Sequence, residues 1–564
     1  MAKNTKLELT WIGKDKRPRL EPRVLIEDPT KSYHAAVRHG DKDIFDNMLI
    51  HGDNLLALKA LEQQFAGKVK CIYIDPPFNT GAAFDNYDDG IEHSIWLNLM
   101  RERFMILHTL LNSSGAIFVH LDDNEADYCK VLLDEIFGRE NFINRITVDA
   151  RSPSAFSVVN PGLFVASEYI LYYAKNRSEL EEANLRVPRE VDYAYNRWIE
   201  NFEQEHTNWR LVPVVEAYKR KFHRVAESPI RGLRDYDKFI LENAERICRL
   251  TAISDTGAGH KVLEAKRESL LQKDTIIRVN RENLEPVYVL NGQQIAFYKK
   301  NVVFIAGQLK ASSKGTDIWT DIAWEGIAGE GGVKFKKGKK PERLIERCIG
   351  LVSRPGDIVL DSFLGSGTTA AVAHKMGRRW IGIELGDQCY THCKVRLDHV
   401  VNGEDQTGIS ESVGWKGGGG YRFYELAPTL IKEDAFGQKV INKEYNAEML
   451  AEAVCKLEGF TYAPSETEYF IHGHSTERDF IYVTTNYMTT KHLVALNERV
   501  GGERSLLVCC KGFTKGEAKV PNLTVKKIPK AVLDKCEYGH DDYSLNVKNL
   551  PMAEKPLEQG ELFD

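Results

Sequence analysis

Asp361-Ser362-Phe363-Leu364-Gly365-Ser366-Gly367-Thr368-Thr369 decides the fold. It continues Ile358-Val359-Leu360, an apolar, β-branched run that reads as a short buried strand ending at Asp361. Gly365 and Gly367 then permit a tight turn in which backbone approaches a ligand with no Cβ in the way. Thr368 to Met376 reads as a helix, and Gly377 stops it. Strand, glycine turn and helix together open a doubly wound α/β sheet and form a seat for a phosphate or a nucleoside. A second strand, Arg379-Trp380-Ile381-Gly382-Ile383, ends at Glu384, an acid placed to accept hydrogen bonds from ribose hydroxyls. Gly365 to Ala370 also satisfies G-x-G-x-x-G/A, so a nicotinamide or flavin enzyme and a ligand-free glycine turn both remain open on this stretch alone.

A second stretch, far upstream, narrows the choice. The run Cys71-Ile72-Tyr73-Ile74 ends in Asp75-Pro76-Pro77-Phe78. An exocyclic amine on a base is a poor nucleophile because its lone pair is delocalised into the ring. A carboxylate (Asp75) and a backbone carbonyl (Pro76) can each accept one amine hydrogen, which localises that lone pair and aims it. The prolines lack N–H groups and fix φ, so the carbonyl direction is pre-set. Phe78 offers a stacking face for a base swung out of a duplex. The competing reading is a plain Pro-Pro turn after a strand, and it leaves the distant glycine turn without a purpose.

With both stretches in view, the chain resembles the β-class adenine-N6 DNA methyltransferases, and among them the modification (Mod) subunits of Type III restriction-modification systems. In that class the Asp-Pro-Pro-aromatic motif precedes Phe-x-Gly-x-Gly, as Asp75–Phe78 precedes Phe363–Gly367 here. Leu49-Ile50-His51-Gly52-Asp53-Asn54-Leu55, Asp75 to Gly81, Phe118 to Glu125, and Lys340-Pro341-Glu342-Arg343-Leu344 resemble further family segments. The match covers residues 8–180 and 315–400. Many relatives carry Tyr where this chain has Phe78, which keeps the ring and loses the hydroxyl.

The resemblance implies a circularly permuted Rossmann-like sheet that binds S-adenosyl-L-methionine, with an inserted target-recognition domain and a small C-terminal α/β domain. It implies methyl transfer to N6 of a flipped adenine, with Asp75, Pro76, Pro77 and Phe78 as catalytic residues. Asp361, Phe363, Gly365, Ser366, Gly367, Thr368 and Glu384 would bind the cofactor, with Asp53 or Asn54 on its adenine and Lys340 near its carboxylate. Asp75 in place of Ser argues for adenine N6 over cytosine N4. Expected partners are double-stranded DNA, a second copy of the chain, and a nuclease–helicase restriction subunit, since the chain has neither a helicase box nor a P-loop lysine motif. A DNA-binding specificity subunit without turnover is the remaining alternative.

Composition agrees with this class. The 564 residues suffice for two or three domains, and 43% hydrophobic with 28% charged residues is ordinary for a soluble globular enzyme. No run of about 18 apolar residues suggests a membrane span, and no signal core follows Met1-Ala2-Lys3-Asn4. The 10 cysteines are scattered without paired C-x-x-C elements, which predicts no metal site and a cytoplasmic location. Cys389, His392 and Cys393 fit a partly buried helix in a reducing cytosol better than a metal site.

A net charge of -5 does not exclude DNA, because distribution matters more than the sum. Lys219, Arg220, Lys221, Arg224, Arg231 and Arg234 form one basic run, and Lys334, Lys336, Lys337, Lys339 and Lys340 form another. Either can track phosphates.

The predicted organisation has six parts. Residues 1–45 form an arm, 46–175 the catalytic half, and 176–330 the target-recognition insertion. Residues 331–400 form the cofactor half, 401–424 a glycine-rich linker, and 425–564 a C-terminal domain. Strands are expected at 115–121, 167–174, 481–485 and 506–510, and helices at 95–111 and 125–137, the latter capped by Asp122, Asp123 or Asn124. A role for those three residues along a DNA-facing edge is the alternative.

Overall fold

The computed structural model describes residues 8–38, 40, 43–78, 93–151, 163–222, 234–282, 284–305, 308–335, 338–433, 439–514 and 520–528. Asn79 to Gly81, Arg224, Arg231, Lys336 and Lys337 lie outside the described residues. The chain divides into two compact units, one made of Met1–Ala183 with Asp317–Asp564, the other of Asn184–Thr316.

The larger unit is built on an 11-stranded sheet. Its strands are β1 (Leu25–Glu27), β2 (Tyr33–His34), β3 (Asn47–His51), β4 (Val69–Ile74), β5 (Leu111–Leu121), β6 (Phe142–Asp149), β7 (Ser167–Ala174), β8 (Ile318–Trp319), β9 (Ile358–Asp361), β10 (Arg379–Glu384) and β11 (Gly420–Leu426). The order is β1-β11-β3-β10-β9-β4-β5-β7-β6-β8, with β2 paired to β11. From β11 to β5 every pair is parallel, and β7 then runs antiparallel between β5 and β6. The central strands β4 and β9 are buried along almost their whole length, so they read as continuous apolar runs rather than alternating ones.

Six helices flank the sheet: α1 (Asn54–Phe65), α2 (His93–Leu110), α3 (Ala126–Phe137), α4 (Glu342–Val352), α5 (Thr368–Lys375) and α6 (Val395–Asn402). Leu58 and Leu61 of α1, Trp96, Met100 and Phe104 of α2, and Leu132 and Leu133 of α3 close over Ile72, Ile74, Ile117, Val119 and Leu360. Contacts from α4 to β4 and from α5 to β10 join the second helical layer to the sheet. The strand joined to the glycine turn, β9, lies between β10 and β4 although it comes long after β4 in sequence. That is the permuted doubly wound order, and it brings the carboxyl ends of β4 and β9 together.

Three expectations about organisation change. Residues 401–424 are not a linker. Helix α6 runs to Asn402, and β11 starts at Gly420 and pairs with β3. The glycines there serve close approach: Gly417, Gly418 and Gly419 have φ of 99°, 118° and 72°. A Cβ on Gly419 would stand 2.6 Å from the Ile44 carbonyl oxygen. The N-terminal arm is likewise part of the sheet, through β1 and β2 on β11. The insertion is narrower than 176–330, because residues from Asp317 onward return to the larger unit, where β8 pairs with β6 and Trp319 is buried.

The smaller unit holds a six-stranded antiparallel sheet in the order Arg210–Pro213, Arg197–Glu200, Ile247–Ala252, Gln293–Phe297, Leu284–Leu290, Ile277–Arg281, and a three-stranded one. Its core is aromatic, with Tyr195, Tyr218, Tyr236, Phe239 and Tyr298 buried together and Trp198 stacked on Phe239. Within the larger unit the C-terminal part has its own five-stranded sheet, in which Asp479–Met488 and Ser505–Phe513 pair in parallel. Its core also takes in Val24, and Gln63 of α1 donates to the Phe460 carbonyl at 3.1 Å.

Candidate active site

The glycine turn is closed by hydrogen bonds at both ends. Phe363 N–H donates to the Asp361 carboxylate at 2.9 Å, and Gly367 N–H donates to the Leu364 carbonyl at 2.9 Å. Gly365 and Gly367 have φ of 56° and 82°, the left-handed region that glycine tolerates best. A Cβ on Gly367 would meet Cys393 Cα at 3.2 Å, whereas one on Gly365 would meet nothing nearer than 3.9 Å. Gly367 is therefore needed for packing, whereas Gly365 borders open space. Burial, countered by hydrogen bonds from Thr369 and the Phe363 amide, pushes the Asp361 carboxyl up to about 7.

Glu384 stands at the end of the neighbouring strand. Its carboxylate accepts from Gly365 N–H at 2.7 Å, from Gly386 N–H at 3.1 Å and from Gln388 Nε2 at 2.8 Å. Ser366 Oγ lies 3.1 Å from Thr368 Oγ1, which also accepts from Arg396 at 2.7 Å. Phe363 packs on the apolar core beneath. An open glycine turn, a helix amino terminus at Thr368 and a buried acid one strand away suit a nucleoside bearing an amino-acid tail, so these residues fit S-adenosylmethionine.

Asp53 and Asn54 stand at the amino end of α1. Asp53 caps α1, accepting from Leu56 N–H at 3.0 Å, and pairs with Arg103 at 3.5 Å. Asn54 donates to the Ser362 carbonyl at 2.7 Å and accepts from Arg103 Nε. Asn54 thereby ties the start of α1 to the segment that enters the glycine turn, and Arg103 bridges it to Asp53.

On β4, Tyr73 and Asp75 extend toward the same edge. Trp96 is fully buried, and its indole N–H donates to the Pro77 carbonyl at 2.8 Å, which fixes the Pro-Pro turn. Lys340 stands here rather than at the glycine turn. Its ammonium is 3.2 Å from Asp75 Oδ1, 3.3 Å from Glu168 Oε2, and 4.4 Å from the centre of the Phe78 ring. Glu168 also meets His120 Nε2 at 2.9 Å, and His120 Nδ1 hydrogen-bonds Tyr73 OH at 2.7 Å. Burial raises the Asp75 carboxyl above the ordinary carboxylate range, with Lys340 and His120 opposing and Glu168 reinforcing the rise. Burial also acts on Glu168, but Lys340, His120 and Arg151 outweigh it and hold that carboxyl well below its usual range.

Asp75, Phe78 and Lys340 therefore meet at one point, and the glycine turn with Glu384 lies at the next strand ends. His120, Glu168 and Trp324 complete the first cluster, with Trp324 5.9 Å from Lys340. Neither His120 nor Trp324 carries a local sequence signal for this cluster, and Trp324 falls within the 176–330 stretch expected to be the insertion. The available signal for Glu168 was a charged residue entering an otherwise apolar strand, buried at 5% exposure.

The remaining predicted residues divide. Lys219, Arg220 and Lys221 lie on a helix of the smaller unit, Val214–Phe222, and exposed Arg234 begins the next helix. Arg220 is ion-paired with Glu200 at 2.5 Å. In the second basic run Lys339 is buried and donates to the Val333 carbonyl at 2.8 Å, and Lys340 is interior, so these two do not track phosphates, whereas Lys334 is exposed. Asp122 does not cap α3. It accepts from Asn124 N–H at 3.0 Å, and the residue at the cap position is Glu125. Cys389 and Cys393 are buried, and the Cys393 thiol donates to the Gly365 carbonyl at 3.1 Å.

Comparison with known proteins gives one family. A family model described as DNA methylase, covering N6 and N4 enzymes, matches residues 69–394. Over 421 residues the chain is 36% identical to a probable type III restriction-modification enzyme Mod subunit, HindVI, of Haemophilus influenzae, covering 69% of this chain and 55% of that one. The chain thus spans about half the length of that relative. The type III EcoPI Mod subunit of Escherichia phage P1 is 26% identical, over 85% of this chain and 75% of its own. The type II methyltransferase M.EcaI of Enterobacter cloacae is 28% identical, over 60% and 67%. The family match begins at β4, whose end carries Asp75, and runs past the glycine turn and Glu384, so that this chain belongs to the N6/N4 DNA methylase family.

Proposed function

We propose that this chain is a site-specific DNA methyltransferase acting on N6 of an adenine swung out of duplex DNA. The observation that carries the reading is the meeting of an Asp-Pro-Pro-Phe turn and a glycine turn on adjacent parallel strands, β4 and β9. S-adenosylmethionine, held at the Gly365–Gly367 turn, supplies an electrophilic methyl group on a sulfonium. The residues of the chain do the rest. Asp75 and the Pro76 carbonyl each accept one N6 hydrogen, which localises the amine lone pair and orients it. Phe78 stacks on the flipped base. The Trp96 bond to Pro77 keeps both acceptors in register. As the N6–carbon bond forms and the carbon–sulfur bond breaks, the surplus N6 proton passes to Asp75 and on to solvent.

The resemblance to Mod subunits supports a modification role beside a nuclease–helicase restriction subunit, with two copies of the chain acting together in the cytoplasm. The smaller unit, Asn184–Thr316, interrupts the family sheet where a target-recognition domain is expected, and it would read base edges. Lys219, Lys221 and Arg234 are its candidate phosphate contacts. No helix among the described residues is long and apolar enough to cross a membrane.

The test is to express the chain in a bacterial host free of DNA methylation and to read its genome by modification-sensitive single-molecule sequencing. N6-methyladenine at one short motif, absent with Asp75→Ala, is the expected result. Methyl groups on cytosine N4 would replace the base assignment. An unmodified genome would overturn the catalytic reading.

A further inference from the structure

The contacts around Asp75 form a closed ring across four elements. Tyr73 OH meets His120 Nδ1 at 2.7 Å, and His120 Nε2 meets Glu168 Oε2 at 2.9 Å. Glu168 meets the Lys340 ammonium at 3.3 Å, and Lys340 meets Asp75 at 3.2 Å, returning to the strand that carries Tyr73. His120 is fully buried, and Glu168 and Lys340 nearly so. The two ring nitrogens of His120 thus bridge Tyr73 and Glu168. Arg151 adds a longer contact to Glu168 at 3.5 Å, so the carboxylate is held from two sides.

Asp75 serves an amine only while it is an ionised acceptor. Protonated, it would present an O–H to the N6 lone pair and aim nothing. Its charged surroundings come from every element packed on it: Tyr73 on β4, His120 on β5, Glu168 on β7, Asp361 on β9, and Lys340 just before α4. Glu168 and Asp361 oppose its ionisation. Lys340 is its close cation. An ammonium bound to Asp75 alone would compete with the substrate amine for the same oxygens, whereas one shared with a second carboxylate competes less. A carboxylate also has acceptor capacity on two oxygens, so one ammonium contact does not exhaust it.

We propose that Lys340 is a positioning residue that keeps Asp75 ionised and aimed, and that Glu168 is the anchor that stops Lys340 from occupying Asp75 outright. This rests on the methyl-transfer reading above. It moves Lys340 from the cofactor to the amine acceptor.

The pair makes a prediction of opposite sign. Lys340→Met removes the cation and leaves Glu168 beside Asp75, so methylation fails at a higher pH than in the wild type. Glu168→Gln removes the opposing carboxylate and gives Lys340 wholly to Asp75, so methylation persists to a lower pH. The experiment measures tritiated methyl incorporation from S-adenosylmethionine into unmethylated bacterial genomic DNA as a function of pH, and cofactor affinity by calorimetry without DNA.

For Lys340→Met we expect a rate loss of about 100-fold. Its acid limb should rise by about one pH unit. Cofactor affinity should be unchanged, and Lys340→Arg should recover part of the rate. Acid limbs that stay put, or that move the same way in Lys340→Met and Glu168→Gln, overturn the inference. So does a loss of cofactor affinity in Lys340→Met that parallels the loss of rate. Should Lys340→Met fail to fold, the direction of the Glu168→Gln limb decides alone. A wild type that incorporates no methyl group overturns the functional reading and this inference with it, whereas an active wild type with unmoved limbs overturns this inference only.

Discussion

The amide of Gly365 donates to the carboxylate of Glu384 at 2.7 Å, joining the glycine turn to the end of the neighbouring strand. The same carboxylate holds Gly386 and Gln388, so it shapes both the turn and the segment that follows its own strand. Glu384→Gln keeps one acceptor oxygen but turns an amide N–H₂ toward the N–H groups of Gly365 or Gly386. Donor would then meet donor in a buried site, at a cost of about 1–3 kcal/mol. We expect S-adenosylmethionine affinity to fall at least tenfold by calorimetry, with a lowered melting temperature. Unchanged affinity would show that Glu384 acts on the fold alone.

Trp96 fixes the catalytic turn from the core. Trp96→Phe removes the indole N–H and leaves the Pro77 carbonyl without that donor. The expected loss of stability is about 1–3 kcal/mol, read by chemical denaturation. The methylation rate should fall further than stability explains, because the acceptors on either side of Pro77 lose their register, while cofactor affinity holds. A rate loss matched by an equal loss of cofactor affinity would contradict this.

Asp361 links stability to pH. Its carboxyl is raised to about 7 in the folded chain, against about 3.9 in an unfolded one. Between those values the folded state binds a proton that the unfolded state lacks, so stability falls as pH rises through that window. Asp361→Asn keeps an acceptor for the Phe363 amide and carries no charge. At pH above 7 it should melt higher than the wild type, by an amount of order 1 kcal/mol or more. The difference should vanish toward pH 4. A wild type that gains stability from acid to neutral pH through this group would refute the assignment.

A buried ion cluster anchors the approach to Lys340. Glu342 accepts from Lys375 at 2.9 Å, from Arg396 at 2.8 Å and from Ile409 N–H at 3.0 Å, and Lys375 also meets Asp405 at 2.7 Å. The four side chains of this cluster, Glu342, Lys375, Arg396 and Asp405, are all fully buried. Glu342→Ala would leave two cations buried with lost partners, a change worth about 3–5 kcal/mol. Denaturant midpoints of the variant and wild type check it. A loss below about 1 kcal/mol would mean that water enters the site and replaces the carboxylate.

The amino-acid sequence by itself determined the two strands, the turns at their ends and the permuted order. Each strand is a short apolar run, and each turn is set by glycine or proline chemistry within a few residues, so local reading suffices. Helix α3 and strands β7 and β9 fall within a residue of their expected ends for the same reason. Tertiary structure decided what stands beside Asp75. Lys340, Glu168 and His120 come from separate segments, and ion pairs between them depend on sheet order and burial, which no local pattern encodes. It also decided that the glycines at 417–419 pack tightly instead of linking domains, since a close approach to Ile44 and Gly403 exists only once β11 has paired with β3. Local chemistry could name the acceptor. Only long-range packing showed which charges stand beside it.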